Sequence, residues 1–290
     1  MRNNQLTDAI SLGCAAAKCL LDRACLNALQ QALVKVFPEW TREIFLVEDE
    51  EEMEDGIKLN LRKQSHLYSL LWREAEKCQD YRRQIYDNYV KQLQSSSSGH
   101  IPPPYDSESW SDECTITGNV QDIMMFLNYS TRPCTLEGNS MSIHGYAVKS
   151  EGILTSVLMK AALLELAESI NFEWGFVRTD GEFDDKNRDD RGHVLGVDLS
   201  HGLPGLYWLN YFGPAYCEAI GRERILNTPA AWTKETTNGV VIALGENPNG
   251  WNATDYRARC HAAEQHLGKK WFFSKDDPKR KLVMPKFAFE

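Results

Sequence analysis

The chain is short of several things that would announce a chemistry. It has no G-x-S-x-G elbow, no Walker-type phosphate loop and no G-x-G-x-x-G fingerprint. A nucleophile-elbow hydrolase and a nucleotide or dinucleotide cofactor site therefore have no local support. Its eight cysteines (14, 19, 25, 78, 114, 134, 217, 260) form no C-x-x-C pair. That spacing argues against a thiolate metal centre and predicts reduced, buried thiols. No stretch reaches ~18 consecutive apolar residues, so no membrane-spanning helix is expected. Basic residues are also in deficit, with Lys+Arg 32 against Asp+Glu 41 and a formal charge of −9. Nucleic-acid binding needs an excess of cations to replace phosphate counterions, so a direct nucleic-acid partner is not expected. There is no internal repeat.

What remains is an ordinary globular composition, 42% hydrophobic and 25% charged over 290 residues. Leu12-Gly13-Cys14 resembles a lipoprotein cleavage box, but polar Asn3–Asp8 precede it where an apolar segment would be needed. This predicts no secretion signal, no membrane partner and a cytoplasmic location.

The organisation reads as α+β: a helical N-terminal module joined by a Ser/Pro-rich linker to an α+β domain with a largely antiparallel sheet. Residues 1–94 are expected to be the helical module, 95–109 the Ser/Gly/Pro-rich linker and 110–290 the α+β domain. Apolar residues from Leu6 to Val36 recur at helical steps and stop before Pro38, and a second helix is expected over about 61–93. Strands are expected at Asp122–Tyr129, Ser140–Val148, Trp174–Arg178, Val194–Leu199 and Leu206–Phe212. A nearly apolar helix is expected over Glu151–Ile170 with Ser150 as its cap. Pro214 suits the first position of a helix over Ala215–Leu226. Asn238-Gly239 suggests a type I′ hairpin between Ala230–Thr236 and Val240–Leu244. A final helix over Ala253–Leu267 should end at Gly268.

Two acidic stretches are the main candidate binding residues. Glu48, Asp49, Glu50, Glu51, Glu52, Glu54 and Asp55 are seven acids in eight residues. Asp184, Asp185, Asp189 and Asp190 lie in what reads as an exposed charged loop over Asp180–Gly192. Asp184-Asp185-Lys186 also matches the D-x-K spacing with which some nucleases hold Mg²⁺, so a metal-dependent nuclease or hydrolase is the alternative reading. His193, Asp198 and His201 are ligand types close in sequence, but strand alternation would send 193 and 198 to opposite faces. No catalytic, cofactor-binding or metal-ligating residue is assigned, and no cofactor is expected.

The segment Gly205-Leu206-Tyr207-Trp208-Leu209-Asn210-Tyr211-Phe212-Gly213-Pro214-Ala215-Tyr216, continuing through Ile220-Gly221-Arg222-Glu223-Arg224-Ile225-Leu226, resembles the immunity protein 52 family and the related type VI immunity family of bacterial toxin-neutralising proteins. With the Asn238-Gly239 hairpin and Gly245-Glu246-Asn247-Pro248, the resemblance spans about 120–285. It implies a cytosolic antitoxin that binds a cognate secreted effector, a nuclease toxin domain with a basic cleft. It supplies no catalytic residues. An adaptor or chaperone for an effector is a further alternative.

Overall fold

The computed structural model describes residues 9–16, 23–37, 44–47, 57–59, 114–120, 123–131, 139–147, 152–197, 199 and 201–287. Within these, the strands are β1 (Ile10–Ala15), β2 (Ile44–Val47), β3 (Ile57–Leu59), β4 (Cys114–Val120), β5 (Ile123–Thr131), β6 (Asn139–Ala147), β7 (Trp174–Thr179), β8 (Leu209–Phe212), β9 (Trp232–Glu235) and β10 (Val240–Ala243). They form one 10-stranded sheet in the order β3-β2-β4-β5-β6-β1-β7-β8-β10-β9. All nine strand pairings are antiparallel. The helices are α1 (Arg23–Val36), α2 (Gly152–Ser169), α3 (Asp180–Asn187), α4 (Pro214–Tyr216 and Arg222–Leu226, with a π-helical turn at Cys217–Gly221 between them) and α5 (Thr254–Leu267). The α+β class and the antiparallel sheet follow the sequence reading.

The expected helix over Leu6–Val36 needs correction at its start. Ile10–Ala15 is a strand, and it sits between β6 and β7 with Ile10 opposite Gly145 on one side and Thr179 on the other. All six residues are buried. A strand covered on both faces shows no polar/apolar alternation, so it is easily mistaken for helix by periodicity. The first part of the chain thus contributes strands to the sheet as well as helix. The helix expected at 61–93, the acidic run 48–55, the linker 95–109 and the Ser150 cap lie outside the described residues.

Among the described residues, two apolar layers cover the two faces of the sheet around β1, β7, β8 and β10. On one face Ile10, Leu12, Cys14, Ile143, Val177, Leu209, Tyr211 and Val241 meet α1 and α2. This explains why α2 is apolar almost all round: α1 packs on its outer side while the sheet takes its inner side. Lys35 and Glu165 join the two helices at 2.6 Å. On the opposite face Ala15, Trp174, Phe212, Val240 and Ile242 pack beneath α4, α5 and the C-terminal segment that carries Trp271 and Phe272.

The aromatic segment behaves as its composition suggests. Leu206, Tyr207, Trp208, Leu209, Tyr211 and Phe212 are at most 2% exposed. Asn210 is buried among them because its side chain satisfies the backbone of Tyr207, accepting from the N–H at 2.9 Å and donating to the carbonyl at 2.7 Å. Pro214 opens α4 directly after Gly213.

Two local expectations differ. The described residues of Val194–Leu199 form no strand; Val194 makes one bridge with Arg188. Between β9 and β10 the register places Glu235 opposite Val240, so Thr236–Gly239 is a four-residue loop rather than a two-residue type I′ turn. The loop closes through Thr236 N–H to the Gly239 carbonyl at 2.9 Å. At the end of α5, Gly268 has φ +111, the left-handed stop its position predicted.

Candidate functional site

The acidic stretch after β7 is a helix, not the charged loop the composition suggested. Thr179 is its N-cap, accepting from the Glu182 N–H at 3.1 Å. Asp180 and Glu182 in the first turn complement the helix dipole. Thr179-x-x-Glu182 is the sequence signature of a capping box. Here Glu182 caps nothing and turns inward instead.

Glu182 is fully buried and is the hub of a polar cluster. Its Oε1 accepts from Lys186 Nζ at 2.7 Å and from the Tyr256 hydroxyl of α5 at 2.5 Å. Its Oε2 accepts from the Trp208 N–H at 3.1 Å. Lys186 also donates to the Leu206 carbonyl. Burial alone would pull the Lys186 ammonium down. The neighbouring Glu182 carboxylate, helped by Cys260 and Tyr207, outweighs it and holds the ammonium above the usual lysine range. Burial first, and then Glu182, push the Tyr256 phenol well up, so it stays a donor.

Two further contacts fix the helix. Asn187 is buried and donates to the carbonyls of Leu195 at 3.1 Å and Pro204 at 2.8 Å, while accepting from the Tyr207 hydroxyl at 2.7 Å. Phe183 lies over the guanidinium of Arg178 from β7, with Cζ 3.5 Å from the ring centroid.

With the inner side of α3 so occupied, its carboxylates of interest face outward. Asp184 and Asp185 are exposed, as is Asp190 in the turn that follows. Asp184 accepts from Arg188 at 2.8 Å, and Asp185 meets Arg257 of α5 at 3.3 Å. Such exposed pairs are worth about 0–1 kcal/mol and exchange readily for a partner's cation. Asp189 shapes the turn, accepting from the N–H groups of His193 at 2.8 Å and Arg191 at 2.9 Å. Those bonds, the His193 backbone first and its ring next, hold the Asp189 carboxyl below the usual range. Over Asp180–Arg191 six acidic residues stand against three basic ones, a balance of −3.

The D-x-K spacing does not assemble a metal-binding triad. Asp184 and Lys186 are about 200° apart around the helix, and Lys186 is committed to Glu182 and the core. His193 sits beside Asp189 at 3.0 Å, and Asp198 lies outside the described residues. Among the described residues no three His, Cys, Asp or Glu side chains gather as a metal site. Cys14, Cys25, Cys217 and Cys260 form no disulfide among the described residues. Glu48, Asp49, Glu50, Glu51, Glu52, Glu54 and Asp55 lie outside the described residues. The sequence reading missed the buried Glu182–Lys186–Tyr256 cluster, although Thr179-x-x-Glu182 was a usable signal for the helix that carries it.

No family model matches the chain, and no curated protein matches it. The resemblance to the immunity families therefore rests on Gly205–Leu226, the Asn238-Gly239 hairpin and Gly245–Pro248 alone; within the first of these, Leu206–Phe212 is buried scaffold. Among solved structures, the Pseudomonas aeruginosa T6SS protein PA0821 is similar to this chain at 12% identity and a TM-score of 0.49. The alignment covers 97% of this chain and 80% of that one. No described helix is long and apolar enough to cross a membrane.

Proposed function

We propose that this chain is a cytoplasmic immunity protein that neutralises a cognate secreted bacterial effector, a nuclease toxin with a basic cleft, by binding it and not by turnover. The effector is of the kind delivered by type VI secretion in interbacterial competition. The observation that carries the reading is the outer side of α3. Asp184 and Asp185 are displayed on a helix whose inner side is held by the Glu182–Lys186–Tyr256 cluster, and Asp190 is exposed in the turn that follows it. A nuclease cleft is built to attract phosphates, and a rigid row of carboxylates offers it a polyanion of fixed shape. Little ordering entropy is lost when the binding surface is already set.

The test first looks beside this chain's gene for a reading frame with a toxin domain and then pairs the two. Co-expression of the chain should rescue cells from that toxin, and the purified pair should form a complex. Replacing Asp184, Asp185 and Asp190 together by Asn should weaken binding by at least ~10-fold at low salt and flatten its salt dependence. A second variant, Glu50, Glu51 and Glu52 to Gln, tests the other acidic stretch. If affinity and salt dependence are unchanged in both, the acidic mechanism is wrong. Rescue without a complex, or Mg²⁺-dependent nuclease activity of the isolated chain, overturns the whole reading.

A further inference from the structure

The surface beside α3 changes sign abruptly. After α5 the chain runs as a strap across the core: the Val283 N–H donates to the Lys270 carbonyl at 2.9 Å, and Phe287 stacks near Tyr216 at 5.8 Å. Over Lys269–Lys286 seven basic residues face two acidic ones, a balance of +5 in a chain of −9. Lys275, Lys279 and Lys281 of this strap are exposed.

The strap abuts the acidic helix. Lys275 donates to the Arg188 carbonyl at the end of α3 at 3.2 Å. Gly196, at φ +68, lies flat on Phe273 of the strap; a Cβ there would fall 2.0 Å from the ring. That contact holds the loop that joins the two charged halves. The same loop carries Val194 and Val197, 43% and 39% exposed. They are held out by polar contacts at the loop's base, where Asn187 grips the Leu195 carbonyl. The end of α3, the exposed Val194 and Val197 and the start of the basic strap at Phe273 and Lys275 thus adjoin, an excess of negative charge beside an excess of positive charge.

A face of this kind is complementary to itself. A two-fold axis beside Val194 and Val197 brings the acidic helix of one copy onto the basic strap of the other, twice, with the valines meeting near the axis. Apolar centre and charged rim are the normal anatomy of an interface. We propose that this chain forms a two-fold homodimer through this face, with α3 of each copy against the Lys275–Lys281 strap of its partner. The charge complementarity selects a second copy over a foreign protein, because one surface supplies both signs in adjoining halves. The inference stands apart from the immunity reading. If both hold, dimerisation covers the carboxylates offered to an effector, and a basic toxin must compete them free.

Sedimentation equilibrium of the full chain is the test. The wild-type chain should be dimeric at low ionic strength, with its dissociation constant rising at least ~10-fold between ~0.05 and ~0.5 M salt. Two charge-reversed variants, Asp184→Lys/Asp185→Lys/Asp190→Lys and Lys275→Glu/Lys279→Glu/Lys281→Glu, should each be monomeric. Mixed, they should form a heterodimer, because each restores opposite signs to the other. A monomeric wild-type chain at low salt, a dimer indifferent to salt, or a mixture of folded variants that stays monomeric overturns the proposal. If either variant fails to fold, the salt series on the wild-type chain decides alone.

Discussion

Replacing Glu182 by Ala should destabilise the protein by about 3–5 kcal/mol, the range for removing one partner of a buried ion pair. The loss is large because the substitution strands what remains. Lys186 keeps a half-buried ammonium with no counter-charge, and the Trp208 N–H and Tyr256 hydroxyl lose their acceptor. The midpoint of urea unfolding, followed by tryptophan fluorescence, reads the change. A double replacement, Glu182→Leu with Lys186→Met, should recover part of the loss by removing the stranded charge. It should not recover all of it, since the two donors remain unsatisfied. A drop of less than ~1 kcal/mol in the single variant would mean that the cluster does not hold α3 in place.

The second large effect is expected at Gly213. A Cβ there would lie 2.1 Å from the Phe172 carbonyl oxygen and 2.7 Å from Glu173 Cα. Both obstacles are backbone, so no rotamer change relieves them. Gly213 donates its N–H to the Glu173 carbonyl at 2.8 Å, which ties the start of α4 to the approach to β7. Gly213→Ala should cost about 3 kcal/mol, the upper part of the range for overpacking. Gly239→Ala, where a Cβ would meet the Phe212 carbonyl at 2.1 Å, should behave alike. Replacement at Gly250, where nothing lies within 4 Å, is the control and should be close to neutral. Equal stability of Gly213→Ala and the control would refute the packing argument.

How much of this was legible beforehand depended on whether local chemistry and tertiary environment agreed. At Leu206–Leu226 they did. The aromatic run, the Gly-Pro junction and the apolar steps beyond it each favour strand, then turn, then helix, and the structure has them in that order. β1 was misread because Ile10–Ala15 is a buried central strand whose residues are small and apolar on both sides; only partners more than a hundred residues away define it. α3 was misread for the opposite reason. Its residues are so polar that composition suggests solvent, and the fold hides Glu182 and Asn187 and half-buries Lys186 by pairing them with α5 and the aromatic segment. The hairpin at Asn238-Gly239 was placed correctly and explained wrongly. Gly239 serves there by lacking a Cβ against β8, and its φ is not positive.

The acidic candidates divide in the same way. Exposure of Asp184, Asp185 and Asp190 was readable from charge density alone. Their rigid presentation was not, because the groups that impose it come from Tyr256 and Trp208, far along the chain. The exposure of Val194 and Val197 was also invisible, since Val194–Leu199 reads as an ordinary strand until its neighbours are known.

β1 has a bearing on how the molecule is made. Among the described strands it is the one that joins β6 to β7. Both of its neighbours are synthesised more than a hundred residues after it. Until Trp174–Thr179 has been synthesised, one edge of that segment has nothing to bind, and the two halves of the molecule stay separate. Closing the sheet between β6 and β7 therefore waits for an early-made segment to insert beside strands that are made much later. A ribosome stalled before that point would display an apolar strand, open to wrong company.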